Sequence, residues 1–117
     1  FGMKQPYNIT TATEAAVIAS FEDADYLNGN ARKIVNERER MTTLLSDIEG
    51  LYPQPSGGNY VLCRLEAGRA KPVFHDLAAR GIFLRNFSSP RLKDYFRISV
   101  GQPHETDIVI TALKELV

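Results

Sequence analysis

Two strand-like runs in the last third of the sequence constrain the fold more than any other feature. The first is IFLRNF, residues 82–87, and the second is DYFRISV, residues 94–100. Only the run SSPRLK, residues 88–93, lies between them. Parallel neighbours need a connection of about a dozen residues or more, so a link this short makes the two strands an antiparallel hairpin. The sequence therefore predicts a sheet that contains at least this hairpin.

Side chains on a strand alternate between two faces, which divides each run into two sets. In the second run, the set expected to face the core is Phe96, Ile98 and Val100. The opposite set contains an arginine: Tyr95, Arg97 and Ser99. In the first run, the set with the arginine is Phe83, Arg85 and Phe87, and the other set is Ile82, Leu84 and Asn86. Each strand of the hairpin thus carries one arginine close to aromatic residues.

The first half of the chain has two helical patterns. A capping-box pattern at Thr11 to Glu14 begins an alanine-rich helix that is apolar enough to be well buried. A longer helix is expected from roughly Tyr26 to Glu49, because Ile34, Met41 and Ile48 recur every seventh residue. Its charged residues predict a solvated face: Arg32, Lys33, Glu37, Arg38, Glu39 and Arg40. Gly50 suits the residue just after the end of this helix.

Further elements complete a mixed pattern. A loop is expected at residues 52–58, a central apolar strand at 59–65, a helix at 71–80 and a last helix that Pro103 begins. The order predicts an α+β fold: a small three- to four-stranded mixed or antiparallel sheet with helices packed on one face. The strand–helix–strand portion should form a right-handed crossover if its two strands are parallel neighbours.

Composition limits the classes of function. The 117 residues suit a single domain, and 44% hydrophobic with 24% charged residues is typical of a globular protein. Equal numbers of basic and acidic residues give zero net charge, which argues against a general nucleic-acid or membrane-surface binder but still allows a local basic pocket. Cys63, the single cysteine, excludes an internal disulfide and lies in an apolar run. A reducing, cytoplasmic setting is expected.

No catalytic or metal-binding constellation is visible. His75 and His104 are isolated, and no pair of residues has the spacing of metal ligands. The glycine pair Gly57 and Gly58 lacks the remaining residues of a phosphate-binding P-loop. On these residues alone, the chain predicts binding rather than bond chemistry.

Arginines on the non-core face allow two interpretations. An antiparallel sheet commonly has one wet face, on which arginines are ordinary surface residues. Phe83, Phe87 and Tyr95, however, make these faces more apolar than a plain wet surface. A guanidinium among aromatic rings suits an anion site, because it offers planar, bidentate donors with a permanent charge. Arg85 and Arg97 are therefore candidate ligands for a carboxylate or a phosphate.

Four runs point to a known family. They are KQPYN at residues 4–8, PSGGNY at 55–60, RGIFLRNF at 80–87 and FRISVG at 96–101, followed by Glu105. Together and in this order they resemble the small C-terminal domain of fold-type I pyridoxal-phosphate aminotransferases, most of all the histidinol-phosphate branch. The resemblance covers essentially the whole chain. A related threonine-phosphate decarboxylase would look similar here.

The resemblance implies roles for particular residues. Arg97 would bind the α-carboxylate of the substrate, and Arg85 would lie near a second anionic end, a phosphate in the histidinol-phosphate branch. Asn86 and Tyr95 would be neighbours in the substrate pocket. The implied reaction transfers an amino group between histidinol phosphate and 2-oxoglutarate in histidine biosynthesis, in a homodimeric enzyme that uses pyridoxal 5′-phosphate.

In that family the Schiff-base lysine and the other cofactor ligands belong to a large domain. None of the lysines in this sequence fits that role: Lys4, Lys33, Lys71, Lys93 and Lys114. We therefore expect residues 1–117 to be a fragment that pairs with such a domain, with residues 1–9 as an interdomain segment. Alone, the fragment should hold no catalytic, cofactor-binding or metal-binding residue and be inactive. The apolar surface near Tyr7 and the first helix would then be partly exposed.

A second hypothesis is that the chain is a stand-alone α+β module that binds a small ligand. An RNA-binding sheet is disfavoured, because neither strand carries the aromatic-rich glycine motif of such domains and the net charge is zero.

Overall fold

The computed structural model describes residues 9–66 and 68–117, which form two compact units divided between Arg32 and Lys33. The predicted interdomain segment and Tyr7 lie outside the described residues, apart from Ile9 at the end of that segment. Among the described residues, no helix combines the length and the apolar character that crossing a bilayer requires.

Helix α1 (Thr11–Glu22) begins one residue earlier than the capping-box pattern predicted. Thr10 is the N-cap, and its hydroxyl oxygen accepts a hydrogen bond from the backbone N–H of Thr13 at 3.1 Å. The prediction that this helix is well buried within the chain is wrong, since none of its residues is buried and Phe21 is 78% exposed. Its largely apolar composition predicts burial only where a partner surface covers the helix. The other prediction, that the apolar surface of this helix is partly exposed in the fragment, agrees with the structure.

Helix α2 (Ala24–Ser46) begins two residues before the predicted start and ends three before the predicted end. Gly50 lies in the turn that follows α2 and has a φ of +85°, a left-handed conformation that favours glycine. The predicted apolar stripe is present in the second half of α2, where Met41 and Leu45 are buried. Ile34 is 39% exposed, so the stripe faces the core only from Glu37 onward.

The sheet has four strands in the spatial order β1-β2-β4-β3, and every neighbouring pair is antiparallel. The strands are β1 (Leu51–Pro53), β2 (Tyr60–Leu65), β3 (Arg85–Asn86) and β4 (Tyr95–Ser99). The predicted antiparallel hairpin is confirmed as β3 and β4, although β3 is shorter than the predicted run at 82–87. Strand β1 was missed: it is a three-residue edge strand ending in proline, and it overlaps the first two residues of the run at 52–58 that predicted a loop.

The predicted strand–helix–strand portion is β2, α3 (Ala70–Ala79) and β3. Strands β2 and β3 run parallel, because each is antiparallel to β4, but β4 lies between them. They are therefore not neighbours, and the condition for the predicted crossover is not met. Gly81, with a φ of +79°, follows α3 and turns the chain toward β3.

One hydrophobic core joins three of the four helices to a single face of the sheet, as the predicted fold class requires. The sheet contributes alternate residues, and the helices contribute from the second half of α2, from α3 and from α4 (Pro103–Leu116). The core residues are Met41, Leu45, Ile48, Leu51, Val61, Cys63, Leu65, Ala70, Val73, Leu77, Phe96, Ile98, Ile110, Ala112 and Leu113. Val100, predicted to face the core, is half-buried.

The solvated face predicted for α2 is wrong at Glu37, which is 8% exposed. Arg40 Nε donates to both carboxylate oxygens of Glu37, at 3.0 and 3.2 Å, and its Nη2 donates to Oε1 at 2.8 Å. The same guanidinium reaches α4, where Nη1 donates to Asp107 Oδ1 and Nη2 to the carbonyl oxygen of Pro103, each at 2.8 Å. Arg40 thus fastens α2 to the start of α4.

Candidate functional site

The face of the sheet opposite the core carries the predicted arginines. In an antiparallel sheet, residues directly opposite each other on neighbouring strands point to the same side. The register therefore places eight residues together, and we call them the arginine face: Tyr52, Tyr60, Leu62, Arg64, Arg85, Tyr95, Arg97 and Ser99. This set contains three arginines and no carboxylate, so the arginine face has a local positive charge within a chain of zero net charge.

Arg85 and Arg97 are directly opposite each other across β3 and β4, a register that the predicted hairpin alone did not specify. Arg97 is half-buried and Arg85 is exposed. Like charges at directly opposed positions destabilise a sheet pair. Within the described part of the chain, the ion pairs of Glu37, Asp107 and Glu115 are made with Arg40 and Arg80. Neither Arg85 nor Arg97 has an acidic partner among the described residues. The pair is therefore free to receive an anion.

Arg97 is held by aromatic contact rather than by hydrogen bonds. Its guanidinium carbon lies 5.2 Å from the centre of the Tyr60 ring, within the range of a cation–π interaction. Its Nε atom is buried and has no hydrogen-bond partner among the described residues. A buried N–H without a partner costs free energy, which an acceptor on a bound molecule would recover. The arrangement favours an anion that binds beside the Tyr60 ring.

A third arginine on this face escaped the sequence analysis. The guanidinium carbon of Arg64 lies 4.1 Å from the centre of the Tyr52 ring, and Arg64 is directly opposite both Tyr52 and Tyr95. The signal was present in the alternation of β2, where Tyr60, Leu62 and Arg64 share one side. The apolar residues along this strand predicted a central strand, and that pattern does not indicate a cation on one of its faces.

The two predicted pocket neighbours lie in different places. Tyr95 is on the arginine face, two residues from Arg97 along β4. Asn86 is opposite Phe96 and so belongs to the other side of the sheet. Its Oδ1 atom accepts a hydrogen bond from the backbone N–H of Phe87 at 2.8 Å. The structure therefore brings Tyr95, Arg85 and Arg97 together, and it does not bring Asn86 to them.

The comparisons with known proteins agree with this architecture. Residues 2–113 match the family model of aminotransferase class I and II. The chain belongs to this aminotransferase family. A histidinol-phosphate aminotransferase from Roseiflexus castenholzii is 41% identical over 117 residues, an alignment that covers 97% of this chain and 32% of the relative. The chain therefore spans about a third of the length of these curated relatives.

Solved structures show the same fold. The histidinol-phosphate aminotransferase from Sinorhizobium meliloti, crystallised with pyridoxal-5′-phosphate, is 35% identical with a TM-score of 0.77, over 87% of this chain and 28% of that one. An L-threonine-O-3-phosphate decarboxylase from Porphyromonas gingivalis is 28% identical with a TM-score of 0.66, over 72% and 27%. The predicted aminotransferase small-domain type of fold is therefore confirmed.

Other reactive residues of this aminotransferase chain lie away from the arginine face. Cys63 is on the core side of β2, and burial raises the pKa of its thiol to about 12. His75 is exposed on α3 and His104 is exposed in the first turn of α4. No group of three or more His, Cys, Asp or Glu side chains that could hold a metal ion occurs in the described ranges.

Proposed function

We propose that this chain is the C-terminal, substrate-clamping domain of a longer histidinol-phosphate aminotransferase. The enzyme would transfer an amino group between histidinol phosphate and 2-oxoglutarate, in histidine biosynthesis. The observation that carries the proposal is the opposed pair Arg85 and Arg97 on a face without a carboxylate. The names of the similar proteins from Roseiflexus castenholzii and Sinorhizobium meliloti support the choice of substrate.

Each arginine has a separate role in this proposal. Arg97, half-buried and with a buried Nε, would donate to the carboxylate of glutamate or 2-oxoglutarate. Arg85, exposed at the neighbouring position, would contact the second anionic end of the substrate, which is the phosphate of histidinol phosphate. An anion over the pair would also offset the repulsion between two opposed guanidinium groups. The two arginines would thereby hold the substrate in a single orientation for the reaction.

Pyridoxal 5′-phosphate is the cofactor of the proposed enzyme, and the described residues do not fit its site. A lysine must bond to this cofactor, and none of the eight positions of the arginine face is a lysine. Lys33, Lys71 and Lys114 lie on helices, and Lys93 lies between β3 and β4. We propose that the large domain of the same protein binds the cofactor, and that this chain binds and orients the substrate. The chain alone would then be inactive.

A related decarboxylase of threonine phosphate is a second candidate. The solved decarboxylase from Porphyromonas gingivalis favours it, because the two folds match over 72% of this chain. Threonine phosphate also carries a carboxylate and a phosphate, so the arginine face does not separate the two substrates. Release of carbon dioxide from threonine phosphate by the complete protein would support the decarboxylase.

A homodimeric enzyme and a cytoplasmic location remain predictions from the sequence.

The first test compares alanine substitutions in the complete protein that carries this chain. We expect Arg97→Ala to lower kcat/KM for 2-oxoglutarate about a hundredfold, the factor for losing roughly 3 kcal/mol of charge-assisted hydrogen bonding. Arg85→Ala should lower kcat/KM for histidinol phosphate more than for 2-oxoglutarate. Bound cofactor, measured by its absorbance, should stay at the level of the unchanged protein in both variants.

Arg80→Ala is the matched control, because Arg80 pairs with Glu115 at the helix side of the domain. This substitution should leave kcat/KM for 2-oxoglutarate and for histidinol phosphate within about twofold, since exposed ion pairs contribute little to stability. Unchanged kinetics in Arg97→Ala would overturn the role assigned to Arg97. Failure of the unchanged protein to transfer an amino group from histidinol phosphate would overturn the proposed reaction.

A further inference from the structure

Tyr60 combines three features that single it out on the arginine face. Its ring lies beneath the guanidinium of Arg97, at 5.2 Å from ring centre to guanidinium carbon. Its backbone pairs with Ser99 on β4, so the ring approaches Arg97 diagonally across the two strands. The side chain is 39% exposed, which leaves part of the ring open to solvent beside the cation. Tyr60 is thus the aromatic support on which Arg97 rests.

The loop before β2 leaves room for the Tyr60 ring at Gly58. A Cβ atom on Gly58 would lie 3.0 Å from Cε1 of Tyr60, which is closer than ordinary contact. Only glycine at this position lets the ring lie against the backbone without displacement. The loop itself is fixed from two sides. Arg38 Nη1 on α2 donates to the carbonyl oxygen of Gly58 at 3.0 Å, and the N–H of Gly58 donates to Ser56 Oγ at 3.2 Å.

These contacts form a continuous support that runs from α2 through Gly58 and Tyr60 to Arg97. We propose that Tyr60 is a positioning residue: its ring, for which Gly58 leaves room, orients the Arg97 guanidinium for a substrate carboxylate and so sets the affinity for 2-oxoglutarate. This inference rests on the proposed function. Arg97 has a buried Nε with no partner, so no hydrogen bond among the described residues fixes its plane at that atom. The Tyr60 ring therefore supplies the orientation that a hydrogen bond would otherwise give.

The experiment measures the KM of the complete protein for 2-oxoglutarate and the dissociation constant of succinate, a dicarboxylate that cannot react. Tyr60→Leu should raise both by roughly five- to twentyfold, the range expected for loss of a partly desolvated cation–π contact. Tyr60→Phe keeps the ring and should stay within about twofold of the unchanged protein. Gly58→Ala should raise both constants in the same direction by a smaller factor, because its methyl group displaces the ring by a few tenths of an ångström.

Tyr52→Leu is the matched control, since Tyr52 lies beneath a different arginine on the same face. It should leave the constants for both dicarboxylates within about twofold. If Tyr52→Leu and Tyr60→Leu raised the KM for 2-oxoglutarate and the dissociation constant of succinate equally, the inference would be overturned. Loss of either ring on the arginine face would then weaken binding. Unchanged constants in a folded Tyr60→Leu protein would overturn it as well. Folding is checked by the NMR spectrum of the nitrogen-15-labelled complete protein. In the same spectrum, the Nε–H signal of Arg97 should shift in Tyr60→Leu and keep its position in Tyr60→Phe.

Combining substitutions separates this inference from the proposed function. If Tyr60 acts through Arg97, adding Tyr60→Leu to Arg97→Ala should change neither constant further. A further rise of the same size as in the single variant would show that Tyr60 acts independently of Arg97, against the inference. If Arg97→Ala itself leaves both constants unchanged, the proposed role of Arg97 fails and the inference fails with it. If Arg97→Ala raises both constants and Tyr60→Leu raises neither, the proposed role of Arg97 stands and only the role of Tyr60 fails.

Discussion

At the scale of the residue, Cys63 reports on the stability of the sheet beneath the arginine face. It lies opposite Phe96 in the core, and burial raises the pKa of its thiol from 9.0 to about 12. The reactive thiolate is therefore about a thousandfold scarcer at neutral pH than for an unshifted thiol. We expect a thiol reagent to modify Cys63 only when the domain opens, so that the labelling rate rises steeply across the urea unfolding transition.

An exposed cysteine provides the comparison for this measurement. Ser89→Cys in a Cys63→Ala background places a thiol in the exposed loop between β3 and β4. It should react at once in the folded chain. Equal labelling rates for Cys63 and for this variant in the folded state would contradict the buried position of Cys63. Because the folded pKa is raised, the stability that Cys63 contributes should be lost as the pH rises from 9.0 toward 12.

At the scale of the element, the contact between α2 and α4 depends on the charge of Glu37. The Arg40 guanidinium holds the pKa of the Glu37 carboxyl below its usual value, against the opposing effect of burial. A lowered folded pKa stabilises the fold above the unfolded pKa, and this contribution is lost as the pH falls through the folded pKa. Glu37→Gln should therefore lower the urea midpoint at neutral pH, and the difference from the unchanged chain should shrink in acid.

Glu39→Gln is the control for that substitution, because Glu39 is exposed two residues further along the same helix. It should leave the midpoint nearly unchanged at every pH, as exposed charges contribute little to stability. A Glu37→Gln chain whose midpoint differs from that of the unchanged chain by the same amount at neutral and acid pH would contradict the role of the ionised carboxylate.

These elements also show what the sequence could and could not predict. Alternation in β4 placed Phe96 and Arg97 on the correct faces, since a strand has one period and one buried side. The contact between Tyr60 and Arg97 depends on the register of β2 against β4. These strands are distant in sequence, so alternation within each strand does not predict their register. The pattern of α2 predicted a solvated Glu37, because a helical pattern does not show that Thr106 of α4 lies against this side chain.

At the scale of the whole molecule, the two compact units should differ in their contribution to stability. Every buried residue among those described lies between Glu37 and Leu113, within the unit that begins at Lys33. Helix α1 contributes no buried residue, and its apolar side chains are exposed in this chain. The free energy of folding should therefore come almost entirely from residues 33–117, since apolar burial is the main favourable term.

A chain of residues 33–117 should accordingly fold on its own, with a free energy of unfolding within about 1 kcal/mol of the full chain. Its urea m-value should match as well, because that slope follows the surface buried on folding. The comparison is a chain that ends at Gly101, which lacks the buried Ile110 and Leu113 of α4. Loss of one such side chain costs about 2–5 kcal/mol, so this shorter chain should not unfold cooperatively. A non-cooperative transition in the 33–117 chain would mean instead that residues 9–32 contribute to the core.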